Sequence, residues 1–145
     1  MIELIFVIVI LGILAAVAIP KLAATRDDAK IAKAVSEVAT AVSDIGAYYT
    51  AQGKFGTMRE MTNVKFSNAD SNLTLAPSYQ VNTTNCIDFN TTAAALADGN
   101  ISVSMATGIT STDTGDEALC YKIQQAVAGQ DLNKTHSFGG QKVVW

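Results

Sequence analysis

Met1-Ile2-Glu3-Leu4-Ile5-Phe6-Val7-Ile8-Val9-Ile10-Leu11-Gly12-Ile13-Leu14-Ala15-Ala16-Val17-Ala18-Ile19-Pro20 opens the chain, and the fold turns on how this stretch is read. From residue 4 to residue 19, 16 positions carry no charge and no polar side chain. At ~1.5 Å per residue a helix of that length is about 24 Å long, short of the ~30 Å hydrocarbon core of a bilayer. Counting back to Met1 brings it close to spanning length, but only by including Glu3. A carboxylate at the centre of a bilayer costs roughly 2.5–3.5 kcal/mol on insertion scales, unless it lies near an interface or is paired. Glu3 is therefore the residue that calls for a functional account.

Beyond Pro20 the pattern changes from apolar all round to apolar on one side. Ile31, Val35, Val38, Val42, Ile45 and Tyr49 recur at intervals of three and four, a single stripe at helical spacing. Ala34, Ala41 and Tyr48 widen it, while Lys30, Lys33, Glu37 and Asp44 lie off it. Gly53 follows the last periodic residue and supplies the stop. The spacing thus predicts one helix over residues 1–52, with an apolar part at 1–20 and an amphipathic part at 21–52. The second part can lie on a globular domain; the first must sit in a bilayer or among copies of itself.

The run Ile2-Glu3-Leu4-Ile5, then Val7 through Leu11, Gly12, and on to Ile19-Pro20, resembles the N-terminal helix of type IV pilins and the related pseudopilins. The resemblance covers about the first 50 residues; beyond them only size, order of elements and a cysteine pair agree. It implies that Glu3 is the family's buried glutamate, which neutralises the terminal amine of a neighbouring subunit during assembly. Gly12 and Pro20 match the ends of the stretch that loses helical structure in assembled pili. It further implies identical subunits in a helical filament as partners, and a prepilin peptidase with pilus assembly machinery. Before assembly, the chain would sit in the inner membrane with its head in the periplasm. One departure concerns the start: the family's mature chain opens Phe-Thr-x-x-Glu, whereas Glu3 follows only Met1 and Ile2. The amine that meets Glu3 is then either that of Met1 or that of a chain two residues longer.

Physical chemistry points the same way. Pro20 lacks an N–H and its ring clashes with the carbonyl of Ala16, so a kink or opening is expected there, costing ~3 kcal/mol. Gly12 adds roughly 1 kcal/mol relative to alanine. A filament built on this helix is expected to yield between residues 12 and 20, where passing from helix towards strand adds about 2 Å per residue. An ordinary kink in a membrane helix is the plainer reading of Pro20. A cleaved secretory signal would explain Ala16-Val17-Ala18, but there is no basic stretch before the run and the helical pattern continues through it. A simple membrane anchor explains the run and leaves Glu3 without a partner. Lys21 and Arg26 by themselves favour a cytoplasmic C-terminal part; a basic leader upstream, as the resemblance implies, reverses that.

Of 145 residues, those at 53–145 are enough for one small globular head. The net charge of −3, with 16% charged residues, offers no basic field for nucleic acid; Lys54, Arg59 and Lys65 read as a solvated face. Residues 54–70 read as a connecting loop. Residues 73–81 alternate as a strand interrupted at Pro77, hence an edge. Residues 86–89 read as a short strand, 92–97 as one helical turn, and 101–106 as the clearest strand in the chain. Residues 111–117 read as a loop, 118–128 are ambiguous between strand and short helix, and Gln141-Lys142-Val143-Val144-Trp145 reads as a closing strand. A long helix followed by strands gives an α+β fold, its apolar half protruding and its amphipathic half packed on a small antiparallel sheet.

Cys86 and Cys120, in a chain that reads as exported, would close a loop of 35 residues. Such a disulfide is worth ~4 kcal/mol in the chain-entropy account. A metal reading of the pair is weak, since His136 is the only histidine and no second cysteine sits two residues away. Asn72, Asn82, Asn90, Asn100 and Asn133 each begin Asn-x-Ser/Thr, and all but Asn82 carry aspartate two residues earlier. Acidic residues are about one in eleven of the chain, so the coincidence points beyond an Asn- and Thr-rich composition. The pattern resembles the acceptor of bacterial oligosaccharyltransferases and makes Asn72, Asn90, Asn100 and Asn133 candidates for N-linked glycans. Asp113, Asp116 and Glu117 are oxygen donors of the kind calcium takes, but solvated loop acids are the plainer reading, and no metal or cofactor is assigned. No Ser/His/Asp or Cys/His arrangement and no glycine-rich phosphate loop supports catalysis.

The expected function is therefore that of a major pilin, the structural subunit of an extracellular type IV pilus filament. The alternatives are the major pseudopilin of a type II secretion system and, in another class, a membrane-anchored monomeric periplasmic binding domain.

Overall fold

The stripe at three- and four-residue spacing folds as one helix, α1 (Ile2–Gln52), whose 51 residues make a rod about 77 Å long. The structure is a computed structural model and describes residues 1–70 and 73–139. The helix passes through Pro20 unbroken. Of the kink or opening expected there, the single chain shows no opening: one missing N–H is a local defect that flanking Ala-, Ile- and Leu-rich turns of good helix formers tolerate. The stop is as expected. Gly53 adopts φ 67°, a left-handed conformation open to glycine, and its N–H donates to the Tyr49 carbonyl at 2.8 Å.

Only the second half of α1 enters the core. Ala34, Val35, Val38, Ala41, Val42 and Ile45 are buried, while Ile31, Tyr48 and Tyr49 are half-buried. All of these but Tyr49 join one apolar cluster with Phe66, Leu73, Ile87, Phe89, Ile101, Val103, Ile123 and Val127. The head is a four-stranded antiparallel sheet in sequential order, β1 (Ser78–Val81), β2 (Thr84–Asn90), β3 (Asn100–Met105) and β4 (Thr135–Ser137). The α+β architecture expected from the sequence is the one observed. Between the strands lie a short helix α3 (Ala93–Ala97) after β2 and a longer helix α4 (Asp116–Gly129) after β3. A single helical turn, α2 (Met58–Met61), precedes the sheet. α4 lies against both α1 and β2.

Several local readings need correction. Residues 54–70 are not all loop: Met58 and Met61 of α2 are buried, and the Thr57 N–H donates to Glu60 Oε2 at 2.9 Å, half of a capping box. Leu73–Leu75 is a 3-10 turn, and the strand begins only after Pro77, whose ring cannot donate to a ladder. β1 is an edge, as expected, partly covered by the bridge between Phe66 and Tyr79 and by the Ser67 N–H donating to the Ser78 carbonyl at 2.8 Å. The ambiguous stretch at 118–128 is helical, and α4 begins earlier, taking Asp116 and Glu117 into its first turn, where acids suit the helix dipole. Residues 135–137, with no strong strand pattern, pair with β3. The closing strand expected at 141–145 lies outside the described residues.

Candidate assembly interface

Apolar side chains with no polar neighbours to fold against remain in solvent unless another body covers them, and that is the state of the first 22 residues. Fifteen large apolar side chains from Met1 to Leu22 are exposed, Ile2 at 85% and Ile13 at 63% of full accessibility. Among the described residues nothing buries this rod, which by length and composition is able to cross a membrane. Monomeric soluble proteins rarely leave contiguous apolar surface of such extent open.

Met1 caps α1 without a side-chain hydrogen bond, and Glu3 lies in the first turn. There its carboxylate suits the positive end of the helix dipole, but among the described residues no ion pair engages it. At Gly12 an added Cβ would meet nothing within 4 Å. Among the described residues no packing therefore requires glycine there, which leaves backbone freedom or the approach of another body as its role. Pro20 sits on the same uncovered rod. Lower on α1, a groove of about 540 Å³ lined by Ile31, Ala32, Val35, Ala39, Ala126 and Gln130 continues the apolar surface between α1 and α4.

The rod is held to the head by the buried stripe and by two polar ties. The Tyr79 hydroxyl of β1 donates to Glu37 Oε2 at 2.7 Å, and the Thr62 hydroxyl donates to Asp44 Oδ2 at 2.8 Å. Both acids lie off the apolar stripe, so sequence periodicity gave no sign of these ties. Burial pushes the Tyr79 hydroxyl well above its ordinary value of 10.0, and the hydrogen bond and negative charge of Glu37 push it further.

Cys86 and Cys120 form the disulfide, with Cα atoms 5.1 Å apart, joining β2 to α4. Tyr79 faces Ile87 while Gln80 faces Asn85, so Cys86 is the extra residue of a bulge. A bulge re-aims its side chain and leaves its backbone unpaired. On its other side the Cys86 carbonyl continues the register with β3, accepting from the Ala106 N–H at 3.1 Å, and it also accepts from Gln124 Nε2 at 3.0 Å. Gln124, 4% exposed, also donates to the Ala106 carbonyl at 3.0 Å, pinning α4 to two strand ends. Nothing in the sequence singled out Gln124.

The asparagines separate by environment. Asn90 is exposed at the end of β2, Asn100 is half-buried at the start of β3, and Asn133 is exposed in the turn between α4 and β4. Asn82 donates to Asp116 Oδ2 at 2.9 Å, and Asn72 lies outside the described residues. The loop acids do not converge: Asp113 accepts from the Thr110 N–H, Asp116 holds Asn82, and among the described residues no three acidic, histidine or cysteine groups gather. His136 Nε2 lies 3.0 Å from the Leu132 carbonyl, and its ring stacks near Phe138. A long N-terminal helix bearing a small disulfide-linked antiparallel sheet is compatible with a pilin fold. No family model matches the chain, and no curated protein or solved structure is significantly similar to it.

Proposed function

We propose that this chain is the major subunit of an extracellular type IV pilus, polymerising through the apolar rod at residues 1–22. The observation that carries the reading is the contrast between a head that closes its own core and a rod on which fifteen large apolar side chains stay uncovered. Covering each is worth about 1.5–3 kcal/mol, so association of rods is strongly favoured once they meet. A bilayer would serve the apolar surface equally well before assembly, but would offer Glu3 no cation. A bundle of identical rods does so, because each copy brings an amine at its N-terminal end. The subunit thus passes from membrane to filament core with Glu3 selecting the docked register. DNA binding, adhesion and retraction are properties of the assembled surface and do not follow from one subunit.

Electron microscopy of material sheared from cells, together with the Glu3→Gln variant, tests the proposal. Long filaments with the rods at their centre are expected, and the variant should assemble poorly. Removing the carboxylate leaves a neighbouring amine buried and unpaired, a penalty of roughly 3–5 kcal/mol. Normal filament yield from Glu3→Gln would overturn the role of the residue. Polymers confined to the periplasm would indicate the secretion-system pseudopilin, and their complete absence the anchored monomer.

A further inference from the structure

Four Asn-x-Ser/Thr tripeptides carry aspartate two residues upstream, and the structure treats the three that it describes very differently. Asn100-Ile101-Ser102 lies in β3, paired on one side with β2 and on the other with β4, and Ile101 is fully buried. Asn90 ends β2 opposite Ser102, its neighbour Thr91 is buried with its hydroxyl donating to the Asn100 carbonyl at 2.8 Å, and Thr92 caps α3 by accepting from the Ala95 N–H. An enzyme that must hold an asparagine and the hydroxyl two residues later in one extended peptide would have to strip β3 from its neighbours to take Asn100, and to break the Thr91 and Thr92 hydrogen bonds to take Asn90, although Asn90 and Thr92 are themselves exposed.

Asn133-Lys134-Thr135 is built otherwise. Asn133 is exposed, and among the described residues neither its side chain nor its backbone takes part in a hydrogen bond. Lys134 and Thr135 are exposed as well; their tie to the sheet is the Lys134 carbonyl accepting from the Val103 N–H at 3.0 Å and the pairing of Thr135, first residue of a three-residue edge strand, with Ser102. Upstream, Asp131 projects from a left-handed turn (φ 56°) and is paired on the surface with Lys134, whose ammonium holds it below the ordinary carboxylate range. Exposed turns joined to a short edge strand open locally at little cost in structure. A surface ion pair of this kind is also readily exchanged for another partner.

We infer that Asn133 is an acceptor for N-linked oligosaccharide in the folded protein, and that Asn90 and Asn100 are not. The donor is of the lipid-pyrophosphate-linked oligosaccharide class. The Asn133 amide nitrogen forms a bond to the anomeric carbon and gives up one proton, while the bond from that carbon to the pyrophosphate oxygen breaks and the lipid pyrophosphate leaves. Asp131 supplies the upstream carboxylate and Thr135 the hydroxyl. A hydrophilic glycan there would solubilise the turn on which it sits. The inference does not rest on the filament reading, since an anchored monomer would present the same turn.

Peptide mapping by mass spectrometry of full-length protein from its own cells decides the matter. The expected result is a sugar-bearing peptide containing Asn133, with the Asn90 and Asn100 peptides at their bare masses. Asn133→Gln and Thr135→Ala should each abolish the added mass at this site without changing the thermal midpoint of the head, and Asp131→Ala should lower occupancy several-fold. A bare Asn133 peptide overturns the inference, as does glycan at Asn90 or Asn100.

Discussion

The two halves of α1 are one continuous helix with opposite fates. At 85%, Ile2 is almost as exposed as in an extended chain, whereas Ile45, of the same residue type and in the same secondary structure, is completely buried. Helix propensity does not separate them. What differs is that residues 31–49 are apolar on one side and meet a head shaped to receive them, while the apolar side chains of residues 1–20 point to every side and stay exposed among the described residues. The lesson is that a single element holds two environments: the lower half is part of the folded core, and the upper half is left as exposed apolar surface.

The largest expected effect on the buried side of this comparison comes from the disulfide. Replacing Cys86 and Cys120 with serine should lower head stability by about 4 kcal/mol, read from chemical denaturation, while leaving the helicity of the rod unchanged. Next comes a matched pair. Ile45→Ala should cost roughly 2–5 kcal/mol because it opens a cavity in a closed core, whereas Ile8→Ala, on the exposed rod, should shift unfolding by no more than about 0.5 kcal/mol. Equal costs from the two would erase the distinction between the halves. On the buried side, a smaller effect concerns the tie between β1 and α1. Tyr79→Phe should cost roughly 1.5–3 kcal/mol, the range for a hydrogen bond to a charged acceptor. Because the folded hydroxyl holds its proton more tightly than the unfolded one, its contribution is complete below pH 10 and is lost as pH rises above it. The wild-type protein should therefore lose stability above pH 10, and Tyr79→Phe should flatten that limb of the profile.

Much of this was legible from residue order because it depends on near neighbours. The stripe from Ile31 to Tyr49, the glycine stop at Gly53, the clean alternation of Ile101 and Val103 with serines, and the cysteine pair all follow from local periodicity or from simple counting. The readings that failed did so where a local signal was weak or met a competitor. Thr57 and Glu60 announce α2 only through a capping pair, easily lost in a mixed stretch. The residues at 118–128 satisfy strand and helix patterns at once, and only their packing between α1 and β2 settles on helix. At Pro20, where a kink or an opening is expected, the helix of the single chain continues without opening.

Residue order alone determined that a long helix exists, that one half is one-sided and the other is greasy throughout, and that Glu3 is stranded in the greasy part, because these follow from side-chain chemistry at fixed helical spacing. Tertiary structure alone decided that Gly46 must lack a side chain, since a Cβ there would come within 2.7 Å of the Phe138 ring. It also decided that Cys86 sits on a bulge aimed at Cys120, that Gln124 closes two strand carbonyls, and that of the described acceptor asparagines with an upstream aspartate only Asn133 stands clear of the sheet. Each of these is a meeting of residues far apart in the chain, and which residues meet is set by the packing of the whole head rather than by any segment of it.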